Sequence, residues 1–270
     1  MRHLLCLAFA VPLLLLAAGA RPPDDKERRE RTPREQYQAL EEKFRQAMAE
    51  AAKAGRAART REDRIKAGEK VRLIFEEFGQ KFLALARQHP QDPVAAEALA
   101  WVVSHYRSST AEGRAAAEAL IRYEGFLKGD GIGLLCLRLQ NDGGLPAEKL
   151  LRFVMTNNPH QDVRGKACYA LAVGLKNRAA RERKDANREK LNQEADKLLE
   201  RIIRDYGGVQ INPPSRVTLG DRAKGALFAA RHLGTGMTAP EIDGEDIEGK
   251  RFKLSDYRGK VVLLDFWGHW

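Results

Sequence analysis

Thiols are the residues of this 270-residue chain best suited to covalent chemistry, and there are three: Cys6, Cys136 and Cys168. A reactive thiol needs an environment that favours the thiolate, such as a helix N-terminus, a nearby cation or a Cys-x-x-Cys partner. Cys136 lies within Ile132-Gly133-Leu134-Leu135-Cys136-Leu137, and Cys168 within an Ala-rich helical stretch. Both settings are apolar and the two are 32 residues apart, so neither forms a Cys-x-x-Cys. The expectation is structural core, with a mutual disulfide and a redox role as the lesser alternatives. His89 and His160 flank prolines at helix stops, which suits capping or exposure. His105, His232 and His269 have no partner at ligand spacing. No metal site or cofactor is expected. No H-E-x-x-H, G-x-S-x-G or P-loop pattern occurs. Gly129-Asp130-Gly131-Ile132-Gly133 has the glycine spacing of a phosphate loop. It lacks a preceding strand and a following Lys-Ser/Thr, so it reads as a flexible interhelical loop.

The most specific pattern lies between Gly236 and Trp270. A turn at Ile247-Glu248-Gly249-Lys250 separates two short strand-like pieces, and Ser255-Asp256 opens a capped turn. Val261 to Trp267 is an apolar run, β-branched at its start, which predicts a central strand buried on both faces.

The order of these pieces resembles the opening of the TlpA-like and ResA-like thiol-disulfide oxidoreductases of the AhpC/TSA, thioredoxin-fold superfamily. That opening runs G-x-x-A-P, then D-x-x-G-K, then L-S-D-x-R-G-K-V-V-L-L-x-F-W-x-x-W, then C-x-x-C. This chain matches at Gly236, Ala239, Pro240, Asp246, Gly249, Lys250, Leu254, Ser255, Asp256, Arg258 to Leu264, Phe266, Trp267 and Trp270. The Phe266-Trp267-x-x-Trp270 ending fits the Cys-x-x-Cys branch better than a peroxiredoxin with a lone peroxidatic cysteine. The resemblance implies dithiol–disulfide exchange with protein thiols and disulfides. Its two cysteines would follow Trp270, with Phe266, Trp267 and Trp270 as the residues flanking the motif. Within the 270 residues no catalytic residue is expected. The active-site helix, later strands and cis-proline loop of the family fold are also expected to be missing. The expectation is therefore a truncated, inactive form, with an apolar strand left open at its edges.

The other end of the chain looks like an address. Met1-Arg2-His3 is basic, Leu4 to Ala20 carries no charge, and Ala18-Gly19-Ala20 is a small-x-small cleavage site before Pro22-Pro23. This is the secretory pattern. The alternative is an uncleaved N-terminal anchor, the one case in which a membrane would be a partner. Either reading places the rest in the periplasm, cell envelope or medium, where conditions are oxidising.

Between these ends the chain reads as helices. Arg21 to Arg34 holds six basic and four acidic residues with three prolines, and should be a solvated linker. From Pro33, with Thr32 as cap, Tyr37, Leu40, Phe44 and Met48 share one helical face. A second helix is predicted over Glu62 to Gln88, with a stripe of Ile65, Val71, Ile74, Phe75, Phe78, Phe82, Leu83 and Leu85, stopped by His89-Pro90-Gln91-Asp92-Pro93. Pro93 to Trp101, Asp162 to Ala170 and Gly220 to Phe228 are three Ala- or Gly-rich segments. Each follows a helix, at Phe82–Gln88, Ala147–Thr156 and Ala195–Tyr206; Val94 and Ala98 lie 69 residues before Val163 and Ala167. The unit is similar to tetratricopeptide or HEAT-type hairpins, with irregular period. Ala179 to Arg204 is predicted as one charged helix. Its first half is an exposed extension, and Leu191, Leu198, Leu199, Ile202 and Ile203 line its second half.

The fold class follows: mainly α, an irregular helical array followed by the first β-strands of an incomplete thioredoxin-like α/β domain. The expected parts are a signal peptide at 1–20, a linker at 21–33, a helical domain at 34–235 and the redoxin-like piece at 236–270. Hydrophobic residues make up 43% of the chain, which excludes global disorder, and three cysteines exclude a disulfide-stapled miniprotein. The formal net charge of +10 raises the question of an anionic partner. The interleaved acids on the charged helix favour a solvated face instead, and no nucleic acid is expected. The reading from a different class is a non-catalytic helical-repeat scaffold outside the cytoplasm, with a protein or peptide partner on its concave face.

Overall fold

The computed structural model describes residues 31–212, 216–234 and 236–265. The expected signal segment, most of the linker, and Phe266, Trp267 and Trp270 lie outside the described residues. Among the described residues no helix is long and apolar enough to cross a membrane.

Among the described residues ten helices precede two short strands: α1 Pro33–Ala57, α2 Arg61–Gln88, α3 Pro93–His105, α4 Ala111–Leu120, α5 Glu124–Leu127, α6 Gly133–Leu139, α7 Leu145–Asn157, α8 Gln161–Ala179, α9 Asp185–Asp205, α10 Leu219–His232, β1 Asp243–Glu245 and β2 Arg251–Lys253. The protein is mainly α, as its periodicity implies. Each long helix packs on its neighbours in sequence, α1 on α2, α2 on α3, α3 on α4, α7 on α8, α8 on α9 and α9 on α10. The short middle helices bridge the two halves: α4 packs on α7, and α6 packs on both α3 and α8.

Local signals set the ends of the helices. Thr60 caps α2 in a reciprocal box: its hydroxyl accepts from the Asp63 amide at 3.0 Å, and the Asp63 carboxylate accepts from the Thr60 amide at 3.2 Å. Thr218 and Asp221 repeat the device at α10. Asp92 sits extended before Pro93 and accepts from the Val94 amide at 2.8 Å, so a proline that blocks one helix starts the next.

Small residues let the helices approach closely. Ala95, Ala96 and Ala98 of α3 are fully buried, as are Ala167, Cys168, Ala170 and Ala172 of α8. At Gly220 a Cβ would stand 2.7 Å from the Gly207 carbonyl oxygen, the same oxygen that accepts from the Gly220 amide at 3.1 Å. Only glycine permits that backbone-on-backbone contact. Larger side chains fill the rest of the core, among them Phe82, Leu120, Leu150, Leu171, Leu199 and Ile202.

Three expectations are corrected. Ile65 of the predicted α2 stripe is exposed, because nine residues turn it half a revolution away from Ile74; Ala67, in phase with Ile74, is the residue that faces α1 at Gly55. The predicted helix from Ala179 to Arg204 is broken: α8 ends at Ala179, the chain turns through 180–184, and α9 starts at Asp185. A straight continuation would carry Leu191, Ala195, Leu198 and Leu199 away from α8; the reversal buries them. Finally, Val261 to Asp265 form no strand. Val261 and Leu263 are almost wholly exposed, and the run is not part of the sheet, which holds β1 and β2 alone among the described residues.

One side chain ties the α5–α6 loop to the α7–α8 turn. The buried Asn158 amide nitrogen donates to the carbonyls of Leu127 (2.8 Å) and Gly129 (3.0 Å), and its oxygen accepts from the His160 amide at 2.9 Å. The glycine-spaced loop is thus an interhelical connection pinned at Gly129. Asn158→Ala leaves these buried groups unsatisfied and should cost about 2–3 kcal/mol of stability in urea unfolding. A loss within about 0.5 kcal/mol of zero would contradict the assignment.

Candidate functional site

The segment after α10 is built by turn-making residues. Strand β1 pairs antiparallel with β2 in the register Asp243 to Lys253, Gly244 to Phe252 and Glu245 to Arg251. In the connection the Asp246 carboxylate accepts from the amides of Glu248 (3.0 Å) and Lys250 (2.8 Å), and Gly249 has φ +79°. The side-chain acceptor and the left-handed φ give Asp and Gly their places in this D-x-x-G-K turn. A 3-10 turn follows at Leu254–Tyr257, where the Asp256 carboxylate accepts from the Lys253 amide at 2.9 Å. The Glu241 carboxylate reaches across to the Ser255 amide at 3.0 Å and also accepts from Ile242. Hydrogen bonding from Ser255 is the main reason its carboxyl sits below the usual range. Gly259, with φ +82°, leads into the exposed run from Val261.

Asp246, Gly249 and Asp256 therefore shape the backbone of these turns. The expected flanking residues Phe266, Trp267 and Trp270 fall outside the described residues.

The two described thiols are core atoms. Cys136 on α6 and Cys168 on α8 are free and fully buried. Burial pushes the Cys136 thiol up to about 12 and the Cys168 thiol up to about 11. Cys168 Sγ lies 3.7 Å from the Leu198 carbonyl oxygen, an acceptor for its proton. A thiol of this kind holds almost no thiolate at neutral pH. Among the described residues no group of three or more His, Cys, Asp or Glu side chains could hold a metal.

The array itself contains a feature that the sequence reading did not locate. Between α1, α3 and α6 runs an open hollow of about 930 Å³, with Tyr37, Phe44, Phe75, Trp101, His105 and Phe126 among its lining residues. The rings are interlocked. Phe82 stacks on Trp101 at 4.2 Å, Trp101 stacks on His105 at 4.2 Å, and Phe44 stands perpendicular to Trp101 at 5.0 Å. A second open hollow of about 740 Å³ lies beside it, bounded by Pro90, Asp92, Arg122 and Tyr123, and shares Glu97 and Phe126 with the first. The signal for it was present in the aromatic faces of α1 and α3, but those faces read equally well as core.

His105 is a fixed part of this wall. Its Nδ1 lies 2.7 Å from the Trp101 carbonyl oxygen, which can only accept, so Nδ1 carries the proton and Nε2 is left as an acceptor. Burial, with the positive charge of Arg138 as a further cause, holds its pKa below the ordinary value near 6.5, against the opposing pull of the Trp101 carbonyl.

Comparison with known proteins gives short matches to one class. The chain is 50% identical over 38 residues to the thiol-disulfide oxidoreductase ResA of Geobacillus thermodenitrificans, covering 14% of this chain and 22% of that protein. It is 45% identical over 53 residues to ResA of Bacillus subtilis, covering 19% and 30%. ResA of Geobacillus kaustophilus matches at 50% over 38 residues, covering 14% and 22%. The chain thus spans less than a third of the length of these relatives, and the likeness is confined to a segment. No family model matches the chain, and no solved structure does.

Two outcomes follow. Native protein treated with iodoacetamide near pH 8 should leave Cys136 and Cys168 unmodified over hours and modify both at once in denaturant; native modification within minutes would contradict their burial. Folding holds His105 neutral while the unfolded chain binds a proton near pH 6.5. Its contribution to stability is therefore complete above that pH and is lost as pH falls below it. His105→Asn should flatten the decline in stability between about pH 7 and pH 5; an unchanged slope would show that His105 titrates alike in both states.

Proposed function

We propose that this chain carries the opening of a ResA-like thiol-disulfide oxidoreductase module behind a helical domain. The observation that supports this is the segmental identity to ResA proteins. In the proposed division, 1–20 is a signal peptide, 21–33 a linker, 34–235 the helical domain and 236–270 the start of the module, which acts outside the cytoplasm. Asp246, Gly249 and Asp256 form its turns, and Phe266, Trp267 and Trp270 lead to the redox pair.

The reaction of the whole protein would be dithiol–disulfide exchange with protein substrates. The thiolate of the first cysteine attacks a substrate disulfide, forming one S–S bond as the substrate bond breaks. The second cysteine then attacks that mixed disulfide, releasing the substrate as a dithiol and leaving the module oxidised. Both cysteines belong after Trp270. Residues 1–270 hold only Cys6, Cys136 and Cys168, and the last two are buried with raised pKa values. This stretch alone is accordingly proposed to be inactive in exchange.

A second reading is supported by the aromatic hollows on the array: the helical part acts as a non-catalytic interaction surface.

Intact mass of the protein from its own cells, before and after thiol alkylation, separates the two readings. The first expects a mass above that of residues 21–270, with two alkylatable cysteines in a Cys-x-x-Cys peptide after Trp270. A mass equal to residues 21–270, with no such peptide, would overturn it.

A further inference from the structure

We infer that the paired hollows form one trough that binds a segment of a partner polypeptide combining apolar and acidic side chains. The inference rests on the second reading above, the array as an interaction surface, and names the chemistry of its partner. Its floor is aromatic, and the exposed Leu134 extends it at the α6 edge. The two hollows are open and adjoin at Glu97 and Phe126, a shape suited to a length of chain rather than to an enclosed small molecule.

Charge selects the partner. Each acid lining the trough already has an intramolecular partner. Arg34 donates to both oxygens of Glu97, at 2.5 and 2.6 Å. The Tyr37 hydroxyl donates to Glu41 at 3.2 Å. Asp92 is taken up in capping α3. The arginines differ. Arg138 borders the larger hollow and Arg122 the smaller, and neither makes an ion pair among the described residues. Arg45, the third, shares Glu42 at 3.2 Å on the exposed face of α1. Each hollow thus sets an uncommitted guanidinium beside apolar surface. A carboxylate flanked by apolar side chains meets both demands, because the guanidinium can pair with it bidentately while its apolar neighbours cover the rings.

The test is fluorescence anisotropy on the whole chain with a labelled ten-residue peptide of glutamate and serine, carrying one phenylalanine and one leucine. The comparison peptide has lysine at every glutamate. The acidic peptide should bind saturably and at least tenfold more tightly than the lysine peptide, and should weaken as salt rises. Arg138→Glu and Leu134→Asp, both at exposed positions, should each raise its Kd about tenfold while leaving the melting temperature unchanged. Equal affinity for the two peptides, or wild-type affinity in both Arg138→Glu and Arg122→Glu, would overturn the acidic assignment while leaving an interaction surface. No binding of either peptide at millimolar protein would remove that surface as well. Self-association abolished by Leu134→Asp would assign the trough to a second copy and overturn the proposal.

Discussion

The structure depends on one constraint: none of its helices can bury its apolar face alone. The stripe on α2 is covered by α1 and α3, and that on α9 by α8 and α10. What makes this mutual cover possible is the small-residue surface of α3 and α8. Alanine, glycine and a buried cysteine occupy positions where a larger side chain would force the helices apart. The long helices are thus partners for their neighbours in sequence, while α4 on α7 and α6 on α3 and α8 tie the two halves together. The cysteines follow from the same constraint. Cys136 and Cys168 serve as small apolar residues, and the burial that makes them useful in packing is what removes their nucleophilicity.

That mode of construction leaves a surface. Where α1, α3 and α6 diverge, Phe44, Phe75 and His105 stay partly exposed above the buried Phe82 and Trp101, and the trough is what remains. Its wall is stiff because the rings of Phe82, Trp101 and His105 are stacked and the His105 ring is held by a backbone carbonyl. A preorganised surface of this kind loses little conformational freedom on binding.

Much of the fold was legible in the sequence because its signals are local. The Pro33 start, the Pro90 to Pro93 stop, the stripe on α2 and the alternation of stripe-bearing with small-residue helices all act within a turn or two of chain. What escaped depends on tertiary contacts. The break at 180–184 is set by the apolar face that α9 must present to α8, and no glycine or proline marks it. Val261 to Leu264 has the composition of a buried strand, yet a strand exists only where it pairs, and among the described residues the run pairs with neither β1 nor β2. The redoxin-like motif was readable because Asp246, Gly249 and Asp256 encode turns directly. The trough was not, since Phe44, Trp101 and Phe126 look the same in sequence whether they fill a core or line a groove.

The central claim is that the helical array supplies the folded mass while the described residues after α10 form turns, one short hairpin and an exposed apolar run. Native-state amide hydrogen exchange on the whole chain tests it most directly. The account predicts strong, uniform protection through α2, α3, α7 and α8, and little protection at Val261 to Asp265. Protection of that run comparable to the α8 amides would contradict it, and would mean that the apolar run is paired and buried.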